Sequence, residues 1–464
     1  MYKFKRQISL LLALVMVFAF VACGKQTEEK PKNTKETTNE ATQGKDDKKQ
    51  FAGKTLKVAG LEGGYGLEGW NKVIAKFQEI TGAKVEAKFA KNIADEVRPQ
   101  IQSGNAPDVN YISLNQKEAL TETMIKEKAI LDITDVLSMK VPGEEKTVKE
   151  KMIDGFTDTF TTNPYGDGKT YLMPIFYGPT GLFYNKSLFK DGGGSLELPK
   201  SVDDLAALKG KVEGAAVFTY PTAGYFDQVI YSLINSVGGK DLFNKLMSYD
   251  SKAWETEAKP VFEAAAKMIS DLNKNTVAQA NNESYKQNQL SVMKNESLFM
   301  PNGNWVVGEM KDAESQKAKG FEWGFMAIPS AKKGGDQYAY TFTEQVWVAK
   351  TTKEPELAKA FVAFLYSDEA TKLFIENGGA VQPIKGAVNM IKDPEKKLFF
   401  SIYEGGVKPA LGGFAAAPAV EGVNMQNVLV ETVNSVANGQ KTVDQWHKEV
   451  VEAVKKIEEA IKKQ

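Results

Sequence analysis

From Thr55 onward the chain alternates strand and helix, and that order limits its folds more than any other feature. Thr55-Leu-Lys-Val-Ala59 reads as a strand, and Trp70, Val73, Ile74 and Phe77 then recur at helical spacing with Thr81-Gly82 as a stop. Val85, Ala87 and Phe89 alternate as a second strand. The helical stretch after it runs to Gly104, with Pro99 expected to kink or shorten it. Asp108-Val-Asn-Tyr-Ile112 is a third strand. Such alternation implies parallel pairing through right-handed crossovers. Ligands on these sheets bind beyond the carboxyl ends of the strands, which here means Leu61 to Gly66 and Ser113 to Gln116.

Farther on the helices lengthen. Val261, Phe262, Ala265, Met268, Ile269 and Leu272 form one apolar stripe. Pro355 suits a first helical turn ahead of Leu357, Ala360, Phe361 and Phe364. Ser367 is placed to cap the next helix, which ends at Gly378-Gly379. The last helix starts at Thr442 with Gln445 three residues on, a capping-box pattern. Its stripe runs Val443, His447, Val450, Val454, Ile457 and Ile461, and no short-period internal repeat is visible.

The N-terminal region is of another kind. Lys3, Lys5 and Arg6 precede an apolar run from Ile8 to Ala22, followed by Cys23, the only cysteine. This is a secretory signal, too short for a stop-transfer span. Phe20-Val21-Ala22-Cys23-Gly24 resembles the lipobox of bacterial lipoproteins, with Phe20 where that motif usually has Leu. The resemblance implies a diacylglyceryl group on Cys23, which becomes the new N-terminus. The plain alternative is an ordinary secreted protein with a chance cysteine in its signal. Gly24 to Gln50 holds 27 mostly polar residues with Ala41 as the one aliphatic side chain, so it reads as a disordered tether. As a coil it spans roughly 30 Å.

Composition removes several classes of function. Lysine plus arginine equals aspartate plus glutamate at 59 each, which argues against a nucleic-acid surface. No later segment has the eighteen or so apolar residues of a membrane span. No internal disulfide is possible, so stability rests on a core. His447 is the single histidine and sits on an apolar helix stripe, where a packed role suits it better than a catalytic one. A histidine-rich metal site is excluded, and Gly192-Gly-Gly194 lacks the Lys-Ser/Thr of a phosphate loop. No cofactor and no metal are expected.

Four segments then follow in a telling order. They are Trp70 to Val85; Ser103-Gly-Asn-Ala-Pro-Asp-Val109; Tyr171-Leu-Met-Pro-Ile-Phe-Tyr-Gly-Pro-Thr-Gly-Leu-Phe-Tyr-Asn-Lys186; and Lys353 to Phe361 through Asp368-Glu369-Ala370. Over about 400 residues this order resembles the extracellular solute-binding proteins of bacterial ABC importers, the sugar-binding class that includes maltose-binding protein. Phe299-Met-Pro-Asn-Gly-Asn-Trp305 resembles the "Pro-Asn-Gly-Ser-Trp" element of relatives associated with N-acetylglucosamine and chitobiose import, with Asn304 in place of serine.

The resemblance implies an α/β, two-lobe periplasmic-binding-protein-like fold, each lobe a mainly parallel sheet flanked by helices, the lobes joined by crossing strands. The implied division is 1–22 signal peptide, 23–50 lipidated cysteine and tether, 51–174 plus 340–382 first lobe, and 175–339 plus 383–464 second lobe. Crossings are expected near Ile175–Tyr177, Lys332–Tyr340 and Val381–Pro383. The implied function is capture of a mono- or oligosaccharide by a monomer held through Cys23 on the outer face of the membrane, and its delivery to ABC permease subunits. That is binding, with no catalytic residue. A lipid-anchored glycosidase needs only a carboxylate pair and stays open as an alternative, as does a binding protein for a peptide or other solute.

A pyranose offers an apolar CH face to aromatic rings and hydroxyls that need paired donors and acceptors. Leaving a buried polar group unpaired costs about 1–3 kcal/mol, which turns hydroxyl stereochemistry into selectivity. Tyr177, Tyr220, Tyr225, Phe226 and Trp305 are the candidate aromatic platforms. Asn302, Asn304, Glu344 and Gln345 are candidates for hydroxyl or acetamide bonding. Glu62, Tyr65 and Asn115 follow strand ends and complete the set. Each has a plain alternative: Trp305 as a packed anchor, the tyrosines as core, Glu344 as a solvated surface group, Asn302-Gly303 as a turn. Trp70 and Tyr184 are read as core.

Overall fold

The structure, a computed structural model, describes residues 50–281 and 284–463. The signal segment, Cys23 and the tether up to residue 49 lie outside the described residues.

Nine strands are described: β1 (Thr55–Leu61), β2 (Lys84–Ala90), β3 (Val109–Tyr111), β4 (Leu172–Asn185), β5 (Ala216–Phe218), β6 (Ser297–Gly303), β7 (Trp323–Met326), β8 (Tyr338–Val348) and β9 (Lys408–Ala410). They run in the order β2-β1-β3-β8-β4-β6-β5, with β7 beside β4 and β9 beside β8. The expected parallel pairing holds for β1 with β2 and β3, and for β5 with β6. Among the nine strands, antiparallel pairing enters through the two long ones, β4 and β8.

β4 explains how one chain serves two ends of this sheet. Its residues from Leu172 to Pro179 pair with β8, and those from Thr180 onward pair with β6 and β7. All of its residues are buried, as a run covered on both faces must be. Phe176, Tyr177 and Phe183 join one hydrophobic core with Trp70, Phe77 and Phe361. Leu182 and Tyr184 join a second, with Phe226, Trp254 and Trp446. Trp70 and Tyr184 are therefore core, as expected. Segment 381–383 contributes no strand; it lies beside β4, where the carbonyl of Val381 accepts the N–H of Tyr177 at 3.2 Å.

The helices follow their local signals. α1 (Glu68–Thr81) stops at Gly82, whose φ of 72° is a left-handed conformation that glycine adopts without penalty. α2 (Ile93–Gln102) continues past Pro99, because the carbonyl of Pro99 still accepts the N–H of Ser103 at 3.1 Å. α3 (Leu120–Lys126) follows β3, and α4 (Asp227–Met247) follows the aromatic loop after β5. α5 (Lys259–Met268) buries Val261, Phe262, Ala265 and Met268 but ends before Ile269 and Leu272.

α6 (Pro355–Phe364) opens on its proline. Its Phe361 and Phe364 close on Phe77 of α1 at ring distances of 5.0 and 5.5 Å. Burying each such ring is worth about 1.5–3 kcal/mol. α7 (Asp368–Gly378) is capped by the hydroxyl of Ser367 and stopped by Gly379 at φ 67°. α8 (Val443–Lys462) has the Thr442–Gln445 capping box. Its buried face centres on Trp446, Val450, Val454 and Ile457, while Ile461 overhangs into solvent. His447 is half-buried, its ring 4.9 Å from Phe262, and its Nε2–H donates to the carbonyl of Trp254 at 2.7 Å. This is the packed histidine the stripe implied.

Candidate functional site

A cavity of about 1100 Å³ takes in Leu114 and Asn115 from the expected loop after β3, but none of Leu61 to Gly66 after β1. One wall is the loop after β3 with α3; another is β8 from Tyr340 to Thr343 with Gln345; the rest is the start of α4, Phe160, Thr161 and Pro164, and parts of the segments 411–419 and 425–430. No helix among the described residues is long and apolar enough to cross a membrane.

Gln345 fastens two of these walls together. Its Nε2 donates to the carbonyl of Thr343 at 2.6 Å, and its Oε1 accepts the N–H of Leu114 at 3.1 Å. Its own N–H goes to the hydroxyl of Ser113 at 3.0 Å. Asn115, next along, takes a left-handed φ of 64°, which asparagine tolerates better than most residues. Its N–H donates to Glu122 Oε1 at 2.6 Å, and Asn115, Glu122 and Gln345 all line the cavity.

Three aromatic rings run in a row to the same cavity. Tyr225 lies 5.9 Å from Trp305 at an interplanar angle of 69°, and Trp305 lies 6.2 Å from Phe342 at 40°. Phe342, on the cavity wall, is 37% exposed, an unusual state for a phenylalanine in a strand. Two glycines make the row possible: side chains at Gly303 and Gly178 would collide with the rings of Trp305 and Phe342.

Glu344, on the same strand face as Phe342, accepts the hydroxyl of Tyr111. Burial holds its carboxyl above the usual carboxylate range, against the pull of that hydrogen bond. The Tyr65 phenol is pushed up by burial and by the nearby charge of Glu344. Its ring packs edge-on against Phe176 at 5.2 Å. Glu62 is half-buried just past β1, its N–H bonded to the carbonyl of Ala90 at 3.1 Å. Glu62, Tyr65, Tyr225, Asn304, Trp305 and Glu344 all stand outside the linings of both cavities.

The remaining predicted residues face elsewhere. Tyr177 lines the smaller cavity, about 630 Å³, with Tyr338, Phe400 and Tyr403. Tyr220 and Phe226 are fully buried in the second core, and the Tyr220 hydroxyl is spent on Asn434 at 2.7 Å. Asn302 is fully buried on β6, where its Nδ2 donates to Gln289 at 2.9 Å and its Oδ1 accepts the N–H of Gly303. These three pack the interior instead of lining the cavity.

Phe342 and Asp227 went unnamed by sequence reasoning although both line the cavity. Alternation places Phe342 on the face of Glu344, two residues away, and Asp227 directly follows the nominated Phe226. Those signals were available.

Comparison with known proteins bears on the whole arrangement. The family model described as bacterial extracellular solute-binding protein matches residues 72–398. An uncharacterized ABC transporter extracellular-binding protein of Pyrococcus horikoshii is 26% identical over 298 residues, covering 62% of this chain and 63% of that one. The chain thus spans just under two thirds of that relative. The diacetylchitobiose binding protein NgcE of Streptomyces coelicolor is 23% identical over 368 residues, covering 73% of this chain and 71% of NgcE. Among solved structures, a family 1 extracellular solute-binding protein from Bifidobacterium longum subsp. infantis superposes with a TM-score of 0.62 at 20% identity. That match covers 87% of this chain and 99% of the other, and it establishes a common two-lobe fold.

Proposed function

The chain belongs to the bacterial extracellular solute-binding proteins, and from that premise we propose that it captures a carbohydrate, an N-acetylglucosamine or chito-oligosaccharide, for an ABC importer. The observation that carries this reading is the aromatic row Tyr225–Trp305–Phe342 reaching the wall of the larger cavity. Rings held by packing on strands and helix ends offer flat apolar faces to sugar CH groups at little entropic cost. Gln345 and Asn115, on the cavity wall, supply polar groups for hydroxyls around those faces. The cavity's volume exceeds the roughly 300–1,000 Å³ of ordinary small-molecule sites, in keeping with more than one sugar ring in an open cleft. The chitobiose subclass rests on the Pro301-Asn-Gly-Asn-Trp305 element and on the likeness to NgcE.

In this reading the cavity is the cleft between lobes, and β4 and β8 are the straps about which the lobes hinge. Ligand favours closure only through contacts it makes better in the closed state. Closed protein then docks on permease subunits, with Cys23 holding it to the outer face of the membrane by a lipid. The protein binds and releases its sugar unchanged.

Calorimetric titration of the purified protein tests this with N-acetylglucosamine, diacetylchitobiose, longer chito-oligosaccharides, maltose and cello-oligosaccharides, and a short peptide as control. One-to-one binding of acetylated sugars with no product supports the whole reading. Binding of another sugar alone keeps the importer and removes the subclass. Silence toward all sugars, or cleavage of one, refutes it.

A further inference from the structure

The larger cavity is one-sided in charge. Among the described residues its walls carry the carboxylates of Glu122 and Asp227 against the single ammonium of Lys126, on α3. Glu122 Oε2 is buried without a hydrogen-bond partner. Asp227 opens α4; its Oδ1 accepts the N–H of Gln228 at 2.5 Å, and its Oδ2 has no hydrogen-bond partner among the described residues.

One turn along α4, at i+4 and so on the same face, stands Tyr231. It is 9% exposed, lines the cavity, and its hydroxyl has no hydrogen-bond partner among the described residues. Its ring lies 5.2 Å from that of Tyr340, which reaches the same wall from β8. The other charge acting on Asp227 is Glu431, of the same sign. A desolvated carboxylate with a like charge behind it and two phenol rings beside it lacks a cation. An ammonium group fits such a place, by charge-assisted hydrogen bonds to the carboxylate and by attraction to the ring faces. A ligand bearing only hydroxyls can donate hydrogen bonds to this carboxylate but brings no opposite charge.

We infer that the Asp227 end of the cavity receives the free amino group of an amino sugar, so that the preferred ligand is a chito-oligosaccharide with at least one deacetylated unit. This rests on the carbohydrate reading above and names its substrate class more narrowly. Burial pushes the Asp227 carboxyl up to about 6 against the pull of the Gln228 N–H, with Glu431 adding to the rise. Below that pH the amine must displace a proton, so its affinity falls with acid. The groups that face Asp227 are Tyr231 on its own helix, Tyr225 in the turn before it, Tyr340 on β8, and Glu431.

The test is calorimetry of the full-length protein at pH 7 and pH 5 with diacetylchitobiose and with the fully deacetylated dimer, on wild type and on Asp227→Asn. In wild type at pH 7 the deacetylated dimer is expected to bind the more tightly. The ratio of amine to acetyl affinity falls about tenfold in Asp227→Asn, and about tenfold in wild type on going to pH 5. An unchanged ratio in the variant, or binding of the acetylated dimer alone, overturns the inference and leaves the carbohydrate reading standing. Silence toward both dimers overturns the two together. If Asp227→Asn shows no cooperative unfolding transition, the pH contrast in wild type makes the same decision.

Discussion

The phenyl ring of Phe342 occupies the space that a side chain at Gly178 would need. The two residues stand opposite each other on β8 and β4, and a Cβ on Gly178 collides with the ring. Gly178→Val should therefore push Phe342 off the cavity wall. Overpacking of this kind costs about 1–3 kcal/mol of stability, and the displaced ring should weaken sugar binding about tenfold. Thermal unfolding and a sugar titration on one preparation check both effects. A stable variant with its ring displaced and full affinity would detach Phe342 from the site.

Trp305 and Tyr220 offer a contrast in the same neighbourhood. Trp305→Ala removes a half-buried ring of the aromatic row and should weaken binding about 10- to 100-fold. Tyr220→Phe removes only the hydroxyl bonded to Asn434, which should cost about 1 kcal/mol of stability and leave affinity intact. Urea unfolding beside titration separates the two. A binding defect in Tyr220→Phe would mean that this tyrosine turns toward the ligand.

Stability should carry the mark of Asp227. Its folded-state value of about 6 lies above the ordinary 3.8, so the folded protein holds that proton more tightly than the unfolded chain. Its contribution is most favourable below about pH 4 and is lost as pH rises toward 6. Asp227→Asn should match wild type at pH 4 and exceed it above pH 6 by about 1–2 kcal/mol, allowing for solvent that reaches a half-buried group. Urea midpoints across that range measure it, and parallel curves would place Asp227 in ordinary solvent.

Lys151 holds two distant pieces of chain together. It is 5% exposed, and its ammonium donates to Glu144 and, at 2.7 Å, to Asp368 at the start of α7. Lys151→Ala leaves both carboxylates without their cation and should cost about 1–3 kcal/mol, the lower end applying because Asp368 faces solvent. Lys151→Met, which keeps the buried stem, should lose less. Equal losses would show that charge, not packing of the stem, is what this residue supplies.

Much of this fold was legible because its signals are local. Gly82, Gly379, Ser367 and the Thr442–Gln445 pair each stop or start a helix by backbone geometry that neighbouring residues dictate. The site was legible only in part, because its choices are made by long-range register. Tyr220 and Tyr225 lie in one loop, yet the short turn Ala223–Phe226 leaves the first in the core and the second against Trp305. Phe226 and Asp227 are adjacent, one buried and one on the cavity wall. Phe342 becomes a platform only because β8 sets it opposite a glycine some 160 residues earlier, a pairing that no periodicity in either strand announces.

The most direct test of the central claim is a crystal structure of the protein with diacetylchitobiose. A sugar ring within about 4 Å of Trp305 or Phe342 in the larger cavity, with the lobes closed over it, is the predicted result. Sugar bound in the smaller cavity beside Tyr177 and Tyr403, or no sugar bound at saturating concentration, would contradict it.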